Sequence, residues 1–344
     1  MKKIFFAALA AVALTACVAD VVTEEPTYAI DFVSSAQGTV KTTVVTSDNL
    51  ETFKVFAFNN ETAEKTNTIM NDQTVNKVKG VWTYTPKKYW PLVGDVDFYG
   101  IAGVTTGYSA SAENGLTYTI TMPNSVAEVN AATIPDVVYA TAIGKTKGDG
   151  NPAVEMAFRH AMAQIDFKIK NTTTAGGITV MPINVSVDDL AANGTYTTPT
   201  RSTSLEDKTI TGSWRLGVDP YTADPYTYTY LFNSEGVTIN ADGIEVGILS
   251  PNESAKCMAL PQAKDVTFQV KCKIWQNGVL IFDDYKTAST SIDWKEGHKY
   301  TYTFNFNDKS IEDNTIEFTA AVTPIVDGTT SPVGTPATPA TPAN

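Results

Sequence analysis

Few residues of this chain are of the types that do chemistry, and their spacing does not gather them. His160 and His298 are the two histidines. His160 falls inside an alternating apolar stretch, which suits a hydrogen-bonded structural residue, and His298 follows Glu296-Gly297 in a turn and reads as solvated. The pairs Asp188-Asp189 and Asp283-Asp284 offer the hard oxygens that calcium takes. Each sits at a strand end, where solvated turn carboxylates are the simpler reading. No Cys/His cluster has metal-ligand spacing, no glycine-rich loop precedes a helix, and no Gly-x-Ser-x-Gly elbow is present. The expectation is therefore a non-enzyme with no cofactor and no metal.

The chemistry that the sequence does carry is post-translational. Met1-Lys2-Lys3 is a basic start, and residues 4–13 form an apolar run too short to span a bilayer as a mature helix. Leu14-Thr15-Ala16-Cys17 then has the form of a bacterial lipobox, with small residues before the cysteine to be acylated. Signal peptidase would cut between Ala16 and Cys17. Acyl chains on Cys17 and its amine would hold the chain to a membrane. The mature chain would carry 23 basic and 37 acidic residues, a formal charge of −14. Such a surface repels phosphate backbones, so nucleic acid is excluded as a partner. Cys257 and Cys272 lie outside the reducing cytoplasm. If residues 261–265 make a hairpin turn, the two can pair as a disulfide; otherwise they are buried small hydrophobes.

The elements that must position these residues read as strands. The chain of 344 residues has 15 Tyr and 15 Phe. Val154, Met156 and Phe158, then Ile165, Phe167 and Ile169, alternate with polar residues, as half-buried strands do. The turn-rich residues 144–152 just before them mark a boundary between two halves. Residues 28–33, 53–58, 80–84, 96–101, 116–122 and 137–140 are strand candidates in the first half. In the second half they are 180–187, 268–275, 279–282, 300–306 and 316–322. Asn114-Gly115, residues 240–243 and Asn277-Gly278 read as hairpin turns, and residues 197–226 as a long irregular loop. From residue 327 the chain turns Gly-, Thr- and Pro-rich, a tail that cannot donate a continuous ladder. The fold expected is all-β: two tandem sandwiches behind a signal peptide. The five tryptophans leave one alternative, a non-polymerising surface lipoprotein whose exposed Trp or Tyr side chains stack on glycans; burial in a sandwich core is the competing fate.

Four stretches, in order and at spacing, carry a resemblance. They are Tyr84-Thr85-Pro86-Lys87-Lys88-Tyr89-Trp90-Pro91 with Val96-Asp97-Phe98-Tyr99-Gly100, and Asp136-Val137-Val138-Tyr139-Ala140 with Phe158, His160, Ala163, Ile165 and Phe167. The others are Ala259-Leu260-Pro261-Gln262 and Trp294-Lys295-Glu296-Gly297-His298-Lys299-Tyr300 with Tyr302. Behind a lipobox, this series resembles the fimbrillin (Mfa-like) family, the lipoprotein-derived subunits of type V pili.

The resemblance implies two transthyretin-like sandwiches, residues 42–152 and 153–327, after a signal peptide (1–16) and a lipid-anchored tether with a displaceable first strand (17–41). Residues 328–344 remain as the tail. It further implies a precursor at the outer membrane, held there by its acyl anchor, that is cut by an Arg/Lys-specific protease and loses its first strand to a neighbour's. The partners implied are other pilin subunits and a surface ligand for adhesion. Mapped here, Tyr28, Ile30 and Phe32 belong to the displaced strand. Lys41 is the cleavage candidate, with Lys54 protected inside a strand; Lys stands where Arg is commoner. Ile316, Phe318, Ala320 and Val322 are either a strand donated to the next subunit or the last strand of this chain's own second sandwich. If kept at home, they point to a tip, accessory or anchor position rather than a stalk.

Overall fold

The computed structural model describes residues 28–36, 49–62, 65–122, 135–191, 193–204, 211–217, 226–231, 237–247 and 257–325. Strands β1 (Phe32–Ala36), β2 (Thr52–Thr62), β3 (Lys65–Val78), β4 (Val81–Thr83), β5 (Asp95–Ala102), β6 (Tyr108–Ser111), β7 (Gly115–Thr121), β8 (Val138–Lys145) and β9 (Val154–His160) come first. They are followed by β10 (Ala163–Asn171), β11 (Ile178–Leu190), β12 (Asn193–Thr197), β13 (Ser213–Gly217), β14 (Tyr226–Leu231), β15 (Ile239–Asn240), β16 (Glu245–Gly247), β17 (Cys257–Ala259), β18 (Ala263–Gln276), β19 (Val279–Asp293), β20 (His298–Phe306) and β21 (Glu317–Pro324). Two short helices, α1 (Arg201–Ser204) and α2 (Asp308–Glu312), complete the described elements. The protein is all-β, as the alternation in its sequence requires.

Four sheets build two packed units. The first is organised on a seven-stranded sheet in the order β1-β9-β8-β5-β2-β3-β4. Its central strand, β5, is buried on both faces, because the sheet has a core on each side. On one face the sheet curls over its own core, where Phe53, Val55, Phe98 and Met156 meet Trp82, Tyr84 and Trp90. Its end strands β1 and β4 approach each other, and Phe32 lies 5.7 Å from Tyr84. On the other face Phe56, Tyr99 and Ile101 pack with Leu116, Tyr118 and Tyr196 of the four-stranded sheet β13-β12-β7-β6.

The second unit is a sandwich. One sheet runs β16-β10-β20-β21 with β17 also on β10; the other runs β14-β11-β18-β19 with β15 also on β11. Phe167 and Phe268 face each other across it at 6.0 Å, and Phe268 meets Tyr302 at 4.7 Å. Asn277 and Gly278 both take positive φ, as a two-residue type I′ hairpin requires, with Gln276 opposite Val279.

Three sequence expectations are corrected by this topology. The four-stranded sheet joins β6 and β7 to β12 and β13, so strands from both sides of residue 152 share one sheet. Residues 240–243 are not a hairpin: β15 pairs with β11 and β16 with β10, so the turn carries the chain from one sheet of the sandwich to the other. Residues 197–226, read as irregular, contain α1 and β13, and β13 pairs with β12 along its full length.

Candidate functional site

The segment 28–36 is tied into the curled sheet through two different partners. The Trp90 amide donates to the Tyr28 carbonyl and the Ile30 amide to the Lys88 carbonyl, each at 2.9 Å. At Asp31 the chain changes partner: the Val154 amide donates to the Asp31 carbonyl at 2.7 Å, and Phe32–Ala36 then runs parallel to Val154–Phe158. One short segment thus bridges the two ends of the curled sheet.

Its side chains anchor it. Ile30 and Phe32 are buried, and Phe32 lies 5.8 Å from Phe53 and 5.9 Å from Phe98. The Tyr84 hydroxyl donates to the Ile30 carbonyl at 2.7 Å, Lys87 Nζ pairs with Asp31 Oδ1 at 2.9 Å, and Asn151 Nδ2 donates to the Ala29 carbonyl at 2.8 Å. Burial, with the Asp31 carboxylate adding to it, pushes the Tyr84 phenol up to about 12. The regular strand lies four residues later at its start than the alternation of 28–33 indicates, and Tyr28 and Val33 are exposed.

Such an arrangement does mechanical rather than catalytic chemistry. A strand that is both edge-paired and plugged by Ile30 and Phe32 satisfies backbone donors and apolar pockets together. Any replacement strand would have to supply both.

The C-terminal candidate is bound at home. The Ile316 amide donates to the Thr287 carbonyl and the Thr287 amide to the Asn314 carbonyl, each at 2.9 Å. The buried ammonium of Lys286 donates to the Asp313 carbonyl. Burial holds that amine below the usual lysine range. β21 then pairs with β20, so the segment crosses between the sheets of the sandwich. Ile316 is buried, Phe318 and Ala320 are half-buried and Val322 is exposed. Phe318 packs 5.9 Å from both Phe268 and Phe304.

Other sequence candidates disperse. Cys257 lies on β17, paired with β10, whereas Cys272 lies on β18 in the opposing sheet, so no hairpin sets them side by side. Cys272 is a free, buried thiol, pushed up to about 12 by burial. Asp283 is matched by Lys271 at 3.3 Å and Lys273 at 3.5 Å rather than left open for a cation. His160 Nδ1 meets Asp136 Oδ1 at 2.9 Å with both side chains buried. Trp82, Trp90 and Trp294 are buried and Trp214 and Trp275 half-buried, so the tryptophans offer no fully exposed indole to a glycan, whereas Tyr28, Tyr89 and Tyr285 are exposed. Ala16, Cys17 and Lys41 lie outside the described residues.

One contact escaped sequence reading. Arg201 grips Asp95 with two nitrogens at 2.7 Å each and reaches the buried Asp97 at 2.8 Å. It ties α1 to β5, and nothing in its local sequence marks it.

A fimbrillin-like family profile matches residues 36–324, and a prokaryotic membrane lipoprotein lipid-attachment profile matches residues 1–17. No curated protein matches the chain. Among solved structures, a fimbrial protein from Bacteroides vulgatus is 15% identical with a TM-score of 0.60, covering 87% of this chain and 100% of that one. A proposed cell adhesion protein from Bacteroides ovatus is 13% identical with a TM-score of 0.53, covering 87% of this chain and 98% of that one. At these identities the likeness is one of fold.

Proposed function

This chain belongs to the fimbrillin-like family, and from that premise we propose that it is the lipoprotein precursor of a type V pilus subunit, activated by loss of its first strand. Acylation at Cys17 holds the precursor on the outer membrane. A protease cuts after Lys41, five residues beyond the end of β1, and the segment 28–36 leaves with the anchor. The groove then open beside β9 takes a strand from a neighbouring subunit, by β-augmentation. The finished pilus serves adhesion.

The observation that supports this reading best is the clasp of residues 28–36. A single segment supplies both the edge pairing of β9 and the Ile30 and Phe32 plugs of the core. Its removal exposes apolar surface and unpaired backbone together, a state that persists only if another strand replaces it. The retention of Ile316 and Phe318 in the second sandwich favours a tip or accessory position over a stalk.

The test is the mass and N-terminal sequence of the protein taken from the cell surface, with and without Lys41→Ala. Wild type should begin at Thr42 and form oligomer ladders that survive mild heating in detergent; K41A should stay intact, lipidated and monomeric. Intact lipidated wild-type chain within purified filaments would overturn the cleavage step.

A further inference from the structure

The end of the curled sheet where residues 28–30 meet residues 88–90 carries an apolar lip in an otherwise acidic protein. Leu92 is fully exposed at the tip of the loop that enters β5, and Val93, Tyr89 and Tyr28 are about half exposed beside it. Tyr28, Tyr89 and Leu92 line an open pocket of about 490 Å³ whose wall also includes Trp90 and Lys147. Trp90 is buried, and its indole Nε1 has no hydrogen-bond partner. Lys147 Nζ stands 4.1 Å over the Tyr28 ring, and Lys87, Lys88 and Lys145 lie close in sequence to this end. Aliphatic tip, aromatic shoulders and lysines make up the composition of a surface that settles into a lipid headgroup region.

The chain itself says which surface lies within reach. Cys17 ends the lipid-attachment match, and Tyr28, one wall of the pocket, is eleven residues further on. Fully extended, that connection spans at most about 40 Å. The acylated chain therefore keeps this end of the fold within about 40 Å of the bilayer. We propose that Leu92, Val93, Tyr28 and Tyr89 form a second, non-covalent membrane contact that lays the anchored protein flat on its N-terminal end. Stable anchoring commonly takes two signals, and the lip supplies one beside the acyl chains. The inference rests on the lipid-attachment site and not on cleavage at Lys41. If cleavage does occur, it removes Tyr28 with the anchor and weakens both contacts together.

The test uses the mature chain with Cys17→Ser, so that no acyl group contributes, sedimented with vesicles of phosphatidylethanolamine and phosphatidylglycerol. Wild type should partition measurably, and Leu92→Asp with Val93→Asp should weaken partition by about tenfold or more. Val279→Asp with Ile281→Asp, at exposed positions beside the β18–β19 turn, should leave it unchanged. Because all four residues are exposed, thermal melting should be unaltered by either pair. A second readout uses the acylated protein in vesicles with brominated acyl chains, where Trp90 fluorescence should be quenched in wild type and recover in L92D/V93D. No partition of wild type, equal loss from the two pairs, or saturable binding of free oligosaccharides without vesicle binding would each overturn the proposal.

Discussion

The Tyr84 hydroxyl donates to the Ile30 carbonyl at 2.7 Å, joining residues 54 apart in sequence at the point where the first segment enters the sheet. The same hydroxyl accepts from the Lys88 amide at 3.2 Å, so one phenol holds both sides of the seam. Tyr84→Phe should cost about 1–2 kcal/mol, because it leaves a buried carbonyl without a donor. Hydrogen exchange should rise selectively in residues 28–36 while β5 and β8 stay protected. The folded phenol titrates near 12 against an ordinary 10. Its contribution is therefore complete below pH 10 and lost as pH climbs from 10 to 12, a loss that Y84F should not show.

Arg201→Ala should destabilise the first unit by about 2 kcal/mol, since it strips a charge partner from the buried Asp97 carboxylate. Asp97 keeps the Gly144 amide at 2.8 Å and Asn60 Nδ2 at 2.9 Å, which limits the loss. Arg201→Lys should recover only part of it, because an ammonium cannot make the two-nitrogen contact with Asp95. Chemical denaturation of the three proteins checks the order.

Glu296 lies in the turn before β20 and meets the Tyr139 hydroxyl of β8 at 3.4 Å, so it sits where the two units join. Burial raises its pKa above the ordinary carboxylate value, against the smaller opposing effect of its hydrogen-bond donors. The folded state binds this proton more tightly than the unfolded state does. The stability it confers is present at pH values below the ordinary carboxylate pKa and falls as pH rises through the raised one. Glu296→Gln should flatten that limb of a melting-temperature profile; an unchanged profile would place the proton elsewhere.

Cys272 should resist alkylation by iodoacetamide at pH 8 in the native protein and react fully in denaturant. Its thiol is buried and titrates near 12, so almost no thiolate is available. Peptide mapping of the Cys272 fragment distinguishes this from a Cys257–Cys272 disulfide, which would block alkylation in both states.

Legibility followed the range of the forces involved. β9 and β10 were plain in the chain because Val154, Met156, Phe158, Ile165, Phe167 and Ile169 repeat every second residue, and a pleated strand buries every second residue. Asn277-Gly278 announced its hairpin because Asn and Gly are the residues that most readily take positive φ in succession; Lys79-Gly80 makes the same kind of turn between β3 and β4 without that signal. β3 was missed: its run of Thr, Asn, Asp, Gln and Lys buries only Met70 and Val75, so no alternation shows. Residues 240–243 do turn the chain but make no hairpin, and of 261–265 only 261–262 lie outside a strand, because β18 already starts at Ala263. A turn's residues set a local reversal but not which sheet receives the strand that follows.

By itself the sequence determined the all-β character, the lipoprotein attachment motif in residues 1–17 and the apolar faces of the long strands, since each follows from neighbours within a few residues. Only the tertiary structure decided that residues 28–36 bridge both ends of one curled sheet, that Arg201 reaches Asp95 and Asp97, and that Cys257 and Cys272 part company. Those outcomes join residues tens to more than a hundred positions apart or divide near neighbours between sheets. Their energies come from pairings that exist only once the sheets have closed.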